Sequence, residues 1–287
     1  MTRIVVLGGC GGIGTVASRA LSAAGADVVV ADLDGGRAEQ LADVLGAESM
    51  VLDASSPESL RPAMDGADVV LNCVGPFYRF GPPILAAAID AQIDYVDVCD
   101  DLAPTRVMLA MDQSARDAGI TALVGMGNSP GIANVFVRLC ADQLLDEVET
   151  VDIMHVHGGE PDEGAGVLKH RIHAMVNPVP LFVDGDFVEV RQLDADGQAF
   201  VREFDFRDVG RLPVHPYPHP ETITLPVSFP SLRRATNLGV IFPLPYFERT
   251  QELVRAGACS DEPVTVEGAE ITPLDVSVAL LQRQRPD

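Results

Sequence analysis

Short apolar runs alternate with amphipathic stretches over the first 130 residues of the chain. The apolar runs predict six strands, at residues 4–7, 27–31, 49–52, 68–72, 94–98 and 121–124. The intervening stretches predict helices at residues 12–24, 37–45, 56–64, 83–91 and 104–118. Strands that are apolar throughout and alternate with helices are typical of a parallel sheet covered on both faces. The pattern therefore predicts an α/β domain of the Rossmann type, with a doubly wound parallel sheet.

Beyond residue 130 the hydrophobic pattern changes. After a predicted helix at residues 132–145, residues 148–157 and 181–190 predict strands of an antiparallel sheet, with a helix at 165–176 between them. Asp184-Gly185-Asp186 adds a hairpin signal. The proline-rich stretch 211–230 predicts an ordered loop or an edge strand, and residues 273–281 predict an amphipathic helix. We predict two domains, residues 1–130 and residues 131–287, the second being α+β with a mixed or antiparallel sheet.

Composition argues against several classes of protein. The formal net charge is −22, and a surface this acidic repels phosphate backbones, so no nucleic-acid partner is expected. No apolar run reaches the roughly 20 residues of a membrane span, so no membrane partner is expected. The five cysteines are scattered without a Cys-x-x-Cys pair. That spacing disfavours disulfides or structural zinc and favours a reducing, cytoplasmic compartment.

A glycine-rich loop follows the first predicted strand. Gly9-Cys10-Gly11-Gly12-Ile13-Gly14 fits G-x-G-x-x-G at the point where a strand ends and a helix begins. In such loops the first glycine permits a tight turn, the second admits a pyrophosphate, and the third allows close packing of helix and sheet. The N–H groups of the helix start then face the phosphates. We assign Gly9, Gly11, Gly12, Ile13 and Gly14 to dinucleotide binding.

Charged residues after the second and third strands extend this predicted site. Asp32 ends the second strand at the interval expected for a carboxylate on the ribose hydroxyls, and it favours NAD because it repels a 2′-phosphate. Arg37 can instead contact an NADP phosphate, so NADP stays open. Asp53 follows the third strand, where it can meet the adenine or cap the next helix.

The fourth and fifth strands end in further polar segments. In Asn72-Cys73-Val74-Gly75-Pro76, we assign Asn72, Val74 and Gly75 to the nicotinamide half of the cofactor. Asp97 and Asp100 follow the fifth strand, where crowded carboxylates raise one another's pKa and so suit an acid or base near neutral pH. The alternative is that these carboxylates cap the next helix and bind water.

The glycine loop and three further segments resemble the saccharopine dehydrogenase-like oxidoreductases. The three are Asn72-Cys73-Val74-Gly75-Pro76-Phe77, Tyr95-Val96-Asp97-Val98-Cys99-Asp100 and Gly125-Met126-Gly127-Asn128-Ser129-Pro130-Gly131. The family includes saccharopine reductases, lysine 6-dehydrogenases and carboxynorspermidine-type synthases. The resemblance implies NAD(P)-dependent hydride transfer at a carbon–nitrogen bond of an amino-acid-like substrate. Relatives usually continue beyond the length of this chain, so the resemblance leaves two alternatives: the family's C-terminal end is missing here, or the chain is a compact variant of the family.

Lys169 is the only lysine among 20 basic residues. It lies four positions before His173, so the two share a helix face, where they can relay a proton or bind a substrate carboxylate. Ordinary surface placement is the alternative for both. His155 and His157, with His170 and His173, lack the carboxylate or cysteine ligand that would complete a zinc site, so no metal is expected.

These residues support a first functional hypothesis, with Asp97, Asp100, Lys169 and His173 as the catalytic candidates. The chain would be an NAD(P)-dependent dehydrogenase or reductase acting on CH–NH groups of a small amino-acid-like substrate. One alternative is a dinucleotide-binding sensor without turnover, or the remnant of a longer enzyme. Another is a cyclodeaminase that recycles a bound NAD. The second domain would bind substrate and pair with its copy in a homodimer.

Overall fold

The computed structural model describes residues 1–158 and 165–283. The chain forms two compact units, Met1–Phe136 and Val137–Asp287. The division falls within a helix, a few residues beyond the change in hydrophobic pattern at residue 130.

The first unit contains a six-stranded parallel sheet. Its strands are β1 (Arg3–Leu7), β2 (Asp27–Asp32), β3 (Glu48–Val51), β4 (Val69–Asn72), β5 (Asp94–Asp97) and β6 (Ala122–Leu123). Its helices are α1 (Gly12–Ala23), α2 (Gly35–Leu45), α3 (Pro57–Met64), α4 (Phe77–Ala91), α5 (Leu102–Leu109) and α6 (Asp112–Ala118). The strand order is β3-β2-β1-β4-β5-β6. The predicted doubly wound fold is therefore confirmed, and the order reverses between β1 and β4, where such sheets open a crevice at their carboxyl ends.

Apolar side chains on both faces of this sheet explain the near-continuous apolar strands. On β1, Val5 and Leu7 pack into a core completed by α3 and α4, while Val6 packs on the opposite face with residues of α2. A strand covered on both faces must be apolar at every position, which removes the alternation seen in half-exposed strands.

Two predicted helices of this unit differ from the structure. The helix predicted at residues 83–91 begins earlier, at Phe77, because the buried Phe77 side chain anchors a first turn that precedes Pro82 and Pro83. The single helix predicted at 104–118 is two helices, α5 and α6. The chain turns between them where Met111 N donates to the Met108 carbonyl.

The second unit is built around a mixed sheet. Its strands are β7 (Thr150–His157), β8 (Pro178–Val183), β9 (Asp186–Arg191), β10 (Arg202–Phe206), β11 (Gly210–Pro216) and β12 (Arg234–Ile241), with a separate hairpin β13 (Val264–Val266) and β14 (Ala269–Ile271). Its helices are α8 (Ala165–Val176), α9 (Ala195–Gln198), α10 (Glu221–Ser228), α11 (Leu244–Arg255) and α12 (Pro273–Arg283), and α7 (Ile132–Gln143) precedes them. The sheet order is β10-β11-β12-β8-β9, and β7 also pairs with β12.

Two expectations about this sheet are corrected and one is confirmed. Residues 148–157 do not form an antiparallel strand, because β7 runs parallel to β12. The stretch 211–230 is not loop or edge strand alone, since it forms β11 and α10, with Pro226 inside that helix. The hairpin at Asp184-Gly185-Asp186 is confirmed by the antiparallel pairing of β8 and β9.

Candidate functional site

Close contacts at two glycines hold the loop after β1. A Cβ on Gly14 would lie 2.1 Å from the Gly8 carbonyl oxygen, and one on Gly9 would lie 2.8 Å from a methyl of Val30. Both distances are too short for any side chain, so only glycine permits this approach of α1 to the sheet. A Cβ on Gly11 would lie 3.3 Å from the Gly8 carbonyl oxygen, whereas one on Gly12 would meet no described atom within 4 Å.

The start of α1 offers an exposed set of N–H donors. The N-cap is Gly11, and no side chain of the described residues caps this helix start. The N–H groups of Gly12, Ile13 and Gly14 have no intrahelical acceptor because they lie in the first turn. The empty space beside Gly12 and this unfilled set of donors fit the pyrophosphate of a dinucleotide.

Asp32 and Arg37 are tied to the glycine loop at Cys10. One carboxylate oxygen of Asp32 accepts from Cys10 N at 2.9 Å, and the other accepts from Asp34 N at 3.2 Å. Arg37 Nη2 donates to the Cys10 carbonyl oxygen at 2.6 Å. Burial and the Asp32 carboxylate raise the pKa of the Cys10 thiol, so that thiol stays neutral. The loop therefore carries a carboxylate and a guanidinium group at the end of β2.

A buried hydrogen-bond network joins the carboxyl ends of β4, β5 and β6. Asn72 Nδ2 donates to the Tyr95 hydroxyl at 3.0 Å, and that hydroxyl donates to Asp97 Oδ2 at 2.8 Å. Asp97 Oδ1 accepts from Gly125 N at 2.7 Å and Cys99 N at 3.0 Å. The three side chains are fully buried. The network fixes the backbone after each of the three strands.

Burial changes what Asp97 can do. Burial raises its pKa, and the N–H donors of Gly125 and Cys99 and the Tyr95 hydroxyl oppose that rise. Its exposed fraction is 0%, so no solute reaches this carboxylate in the described conformation. The structure gives Asp97 the contacts of a positioning residue. Asp100, three residues further on, is only half-buried.

The loop after β4 presents open backbone beside this network. Val74 N donates to Asn72 Oδ1 at 2.9 Å, so the same amide side chain holds both Tyr95 and the loop. Gly75 is exposed, and a Cβ there would meet no described atom within 4 Å. Asn72, Val74 and Gly75 thus lie together at the carboxyl end of β4.

Asp53 forms a local turn after β3. Its carboxylate accepts from Ser55 N at 2.9 Å and from Ser55 Oγ at 2.6 Å, and these bonds lower its pKa. The N-cap of α3 is Ser56, so Asp53 does not cap that helix. The exposed carboxylate stays ionised at the end of its strand.

Lys169 and His173 lie on an exposed face of α8. Lys169 Nζ pairs with Asp275 Oδ1 of α12 at 2.6 Å, and 45% of the lysine side chain is exposed. His173 is also exposed. The helix instead buries Leu168, Ile172 and Met175 in the core. The predicted shared face is present, and its lysine joins α8 to α12.

Tyr95 is the site residue that sequence reasoning missed. A tyrosine two positions before Asp97 in a buried strand shares a face with it, and a buried phenol needs a hydrogen-bond partner. That spacing was the available signal. Among residues 1–158 and 165–283, no group of three or more His, Cys, Asp or Glu residues is placed to hold a metal ion.

A parallel sheet in this strand order, with a glycine loop and a carboxylate at the end of β2, defines a dinucleotide-binding Rossmann unit. Residues 4–123 match the family model described as the saccharopine dehydrogenase NADP binding domain. This match covers the first unit, which is therefore similar to the dinucleotide-binding domain of that family.

Similar proteins cover both units. The chain is 24% identical to carboxyaminopropylagmatine dehydrogenase of Synechocystis over 98% of its length, which spans 72% of that protein. It is 27% identical to carboxynorspermidine synthase of Vibrio cholerae over 82% of its length and 58% of that protein's. Saccharopine dehydrogenase (L-Glu forming) of Saccharomyces cerevisiae shares the fold, with a TM-score of 0.71 at 18% identity over 100% of this chain and 68% of that one. None of the described helices is long and apolar enough to cross a membrane.

Proposed function

We propose that this chain moves hydride between a nicotinamide dinucleotide and a carbon–nitrogen bond of an amine that also carries a carboxyl group. The observation that carries the proposal is the buried Asn72–Tyr95–Asp97 network, which fixes the ends of β4, β5 and β6. The end of β4 lies against the glycine loop, since a Cβ on Gly8 would lie 3.0 Å from the Cys73 carbonyl oxygen. The relatives support the substrate class, because their names refer to carboxyaminopropylagmatine and carboxynorspermidine.

The dinucleotide would be held by backbone and by two side chains. The N–H groups of Gly12 and Ile13 would bind the pyrophosphate, and the Asp32 carboxylate would accept hydrogen bonds from the ribose hydroxyls. Asn72 would hold Val74 N and the open backbone at Gly75 in place along the nicotinamide half. When bound, the nicotinamide ring supplies the carbon that accepts or donates the hydride.

Proton handling falls to a carboxylate at the end of β5. When an amine is oxidised, its C–H bond breaks with both electrons leaving as hydride, and the nitrogen releases a proton to a base. Asp100 is the proposed base, because it is half-buried at the strand end whereas Asp97 is sealed inside the network. Asp97 and Tyr95 position the loops around it.

NAD is the proposed preferred cofactor, with NADP accepted more weakly. Asp32 ends β2, where the 2′-phosphate of NADP would lie, and the negative charges of the carboxylate and the phosphate would repel each other. Arg37 is close by on the Cys10 carbonyl and would offset part of this repulsion. Asp32→Ser is expected to shift the cofactor preference toward NADP. Arg37→Gln is expected to weaken the binding of NADP and to leave that of NAD unchanged. The measurement is the dissociation constant of each reduced cofactor.

The activity test is absorbance of the reduced nicotinamide with NAD or NADP and a panel of carboxylated amines. The panel includes carboxynorspermidine, carboxyaminopropylagmatine, saccharopine and lysine. Asp100→Asn is expected to lower kcat by about 100-fold with an unchanged cofactor dissociation constant, the range typical of losing an acid–base group. Asp101→Asn is the matched control, since this half-buried neighbour occupies the N-cap position of α5.

Other outcomes would identify the alternative functions. Substrate consumption with copurifying cofactor and no net absorbance change would indicate a cyclodeaminase. Cofactor binding without consumption of any panel member would indicate a sensor or a remnant.

A homodimer formed through the second unit is part of the proposal. Strand β9 ends the described sheet, and Phe187 on it is 54% exposed. An edge strand with an exposed aromatic side chain is a template for pairing with a second copy. Light scattering of the protein and of a Phe187→Lys variant tests this, with a monomeric variant as the expected result.

A further inference from the structure

A groove between helices α1 and α2 of the first unit lies outside the proposed contacts of the pyrophosphate. Its volume is about 270 Å³, and its polar lining consists of Thr15 and Arg19 from α1 and Arg37 and Gln40 from α2. We call it the α1–α2 groove. Ligand pockets typically have volumes of roughly 300–1000 Å³, so this groove suits a small ligand or one group of a larger ligand.

Helical spacing explains why these side chains meet. Thr15 and Arg19 are four residues apart on α1, while Arg37, Gln40 and Val44 follow one another at intervals of three and four residues on α2. Residues at such intervals share one face of a helix. Each helix therefore presents one face to the groove.

The floor of the groove is closed by the hydrophobic core. Cys10 and Leu41 line it and are only 3% and 8% exposed, because both belong to the cluster that packs under β1 and β2. A polar ligand must therefore be held by the side chains above this floor.

Most hydrogen-bond donors of the groove are unused. A guanidinium group has five N–H donors, and Arg37 uses Nη2 to reach the Cys10 carbonyl oxygen at 2.6 Å. Arg19 and Gln40 make no hydrogen bond or ion pair with residues 1–158 or 165–283. Arg19, Arg37 and Gln40 are all exposed, so a solute can reach their donors.

The charge of the groove is opposite to that of the whole chain. Two of its described lining side chains are guanidinium groups and none is acidic, whereas the chain has 42 acidic residues against 20 Lys and Arg. Arg37 also lies in the first turn of α2, where the helix dipole disfavours a positive charge. An anion bound by both guanidinium groups would offset their mutual repulsion and this unfavourable position.

The carboxylates beside the groove are already hydrogen-bonded to the backbone. Asp32 accepts from Cys10 N and Asp34 N, and Asp34 accepts from Arg37 N. Neither carboxylate forms an ion pair with a guanidinium group of the groove among the described residues. The positive charge of Arg19 and Arg37 is therefore available to a ligand.

We propose that the α1–α2 groove binds a phosphate dianion between Arg19 and Arg37. Guanidinium groups bind phosphate oxygens in a bidentate manner, and their two positive charges match the two negative charges of the ligand. The Gln40 amide would donate to a further oxygen. A single carboxylate would leave one guanidinium charge uncompensated. The dianion is either free phosphate or the 2′-phosphate of NADP, and the second source rests on the proposed cofactor site.

The first test measures the binding of inorganic phosphate to the full chain by calorimetry, with potassium chloride keeping the ionic strength constant. Phosphate is expected to bind to the protein alone and to its complex with NADH. Loss of phosphate binding in the NADPH complex would show that the 2′-phosphate also occupies the groove. Phosphate binding that persists with NADPH would assign the groove to free phosphate alone.

The second test uses substitutions of Arg19. Arg19→Gln is expected to weaken phosphate binding at least about tenfold, the loss typical of one charge-assisted hydrogen bond, and to leave NADH binding unchanged. Arg19→Lys keeps the charge without the planar group and should lose less affinity. Arg106→Gln is the matched control, because this exposed arginine of α5 undergoes the same change of charge.

The outcomes separate this inference from the proposed function. NADPH binding weakened by Arg19→Gln, in a protein that does not bind free phosphate, would assign the groove to the 2′-phosphate alone. Equal phosphate and NADPH affinities in Arg19→Gln and Arg106→Gln would overturn the inference, while NADH binding and turnover would leave the proposed oxidoreductase standing. Phosphate binding that depends on Arg19, in a chain that binds neither cofactor, would do the reverse.

Discussion

At the residue scale, the two glycines at the start of α1 have separable roles. Gly14 allows α1 to pack against the loop, because a Cβ there would overlap the Gly8 carbonyl. Gly12 leaves open space beside the helix start, because a Cβ there would meet no described atom within 4 Å. Packing and ligand access can therefore be disturbed one at a time.

Alanine at each position should show this separation. Gly14→Ala is expected to lower the free energy of unfolding by about 1–3 kcal/mol, as overpacking does, and to abolish cofactor binding with it. Gly12→Ala should leave stability unchanged but weaken cofactor binding, because the alanine methyl group would occupy the position of the pyrophosphate. Urea denaturation and NADH titration of both variants provide the check. Equal stability losses in the two would contradict the assigned roles.

Tyr95 carries the second residue-scale prediction. Tyr95→Phe removes one hydroxyl and leaves Asn72 Nδ2 and Asp97 Oδ2 without that buried partner. The free energy of unfolding is expected to fall by about 1–3 kcal/mol. Cofactor binding should also weaken, because the loops after β4 and β5 are then held less firmly. Tyr78→Phe is the control, since that ring is 67% exposed. Matching effects in both variants would rule out a positioning role for Tyr95.

At the scale of elements, two histidines with lowered pKa values make the second sheet sensitive to acid. Burial and His157 lower the pKa of His155 to about 3, and burial and Arg255 lower that of His215 to about 4. The unfolded chain takes up these protons near pH 6.5 and the folded one does not. The stabilisation is therefore present above pH 6.5 and is lost as the pH falls toward these lower values.

Each of the two histidines should lower the free energy of unfolding by about 2 kcal/mol as the pH falls from about 7 to about 5. Chemical denaturation at the two pH values measures the loss. His155→Asn should reduce the pH-dependent part by about half, while His173→Asn should leave it unchanged because that ring is exposed. A pH dependence that survives His155→Asn intact would refute the assignment.

The Lys169–Asp275 ion pair links helices α8 and α12. Because both side chains are substantially exposed, Lys169→Met should lower stability by no more than about 1 kcal/mol. The charge swap Lys169→Asp with Asp275→Lys should recover that loss and keep turnover. Thermal denaturation and the amine assay measure both quantities. Turnover lost in a stable swapped variant would show that the lysine itself takes part in the chemistry.

At the scale of the whole molecule, the net charge of −22 sets the response to salt. Carboxylates outnumber cations, so the folded chain repels itself more than the expanded unfolded one. Raising sodium chloride from about 0.02 to about 0.5 M shortens the screening length to a few ångströms and should raise the melting temperature. Sucrose of equal osmolality is the control for solvent exclusion. A melting temperature that falls with salt would mean that local ion pairs outweigh the net repulsion.

The hydrophobic pattern predicted the first unit well, because the burial of each strand in this unit determines its own sequence of apolar residues. A strand covered on both faces is apolar throughout, as Val5, Val6 and Leu7 show, and the G-x-G-x-x-G spacing marks the adjoining turn. The second unit was predicted less well. The sequence of residues 148–157 does not determine which strand they pair with, because the partner β12 lies more than 70 residues further along the chain. Its own run, Arg234–Ile241, was missed among prolines and polar residues.

The sequence by itself determined the Rossmann unit, the dinucleotide loop and the carboxylate at Asp32, because these depend on neighbours within one βαβ segment. Only the tertiary structure decided which polar residues meet. It buried Asp97 together with Tyr95, paired Lys169 with Asp275, and brought His155 of β7 against Tyr217 and His219, more than 60 residues further along the chain. Such contacts depend on strand order and register, which are settled by burial over the whole unit rather than by local pattern.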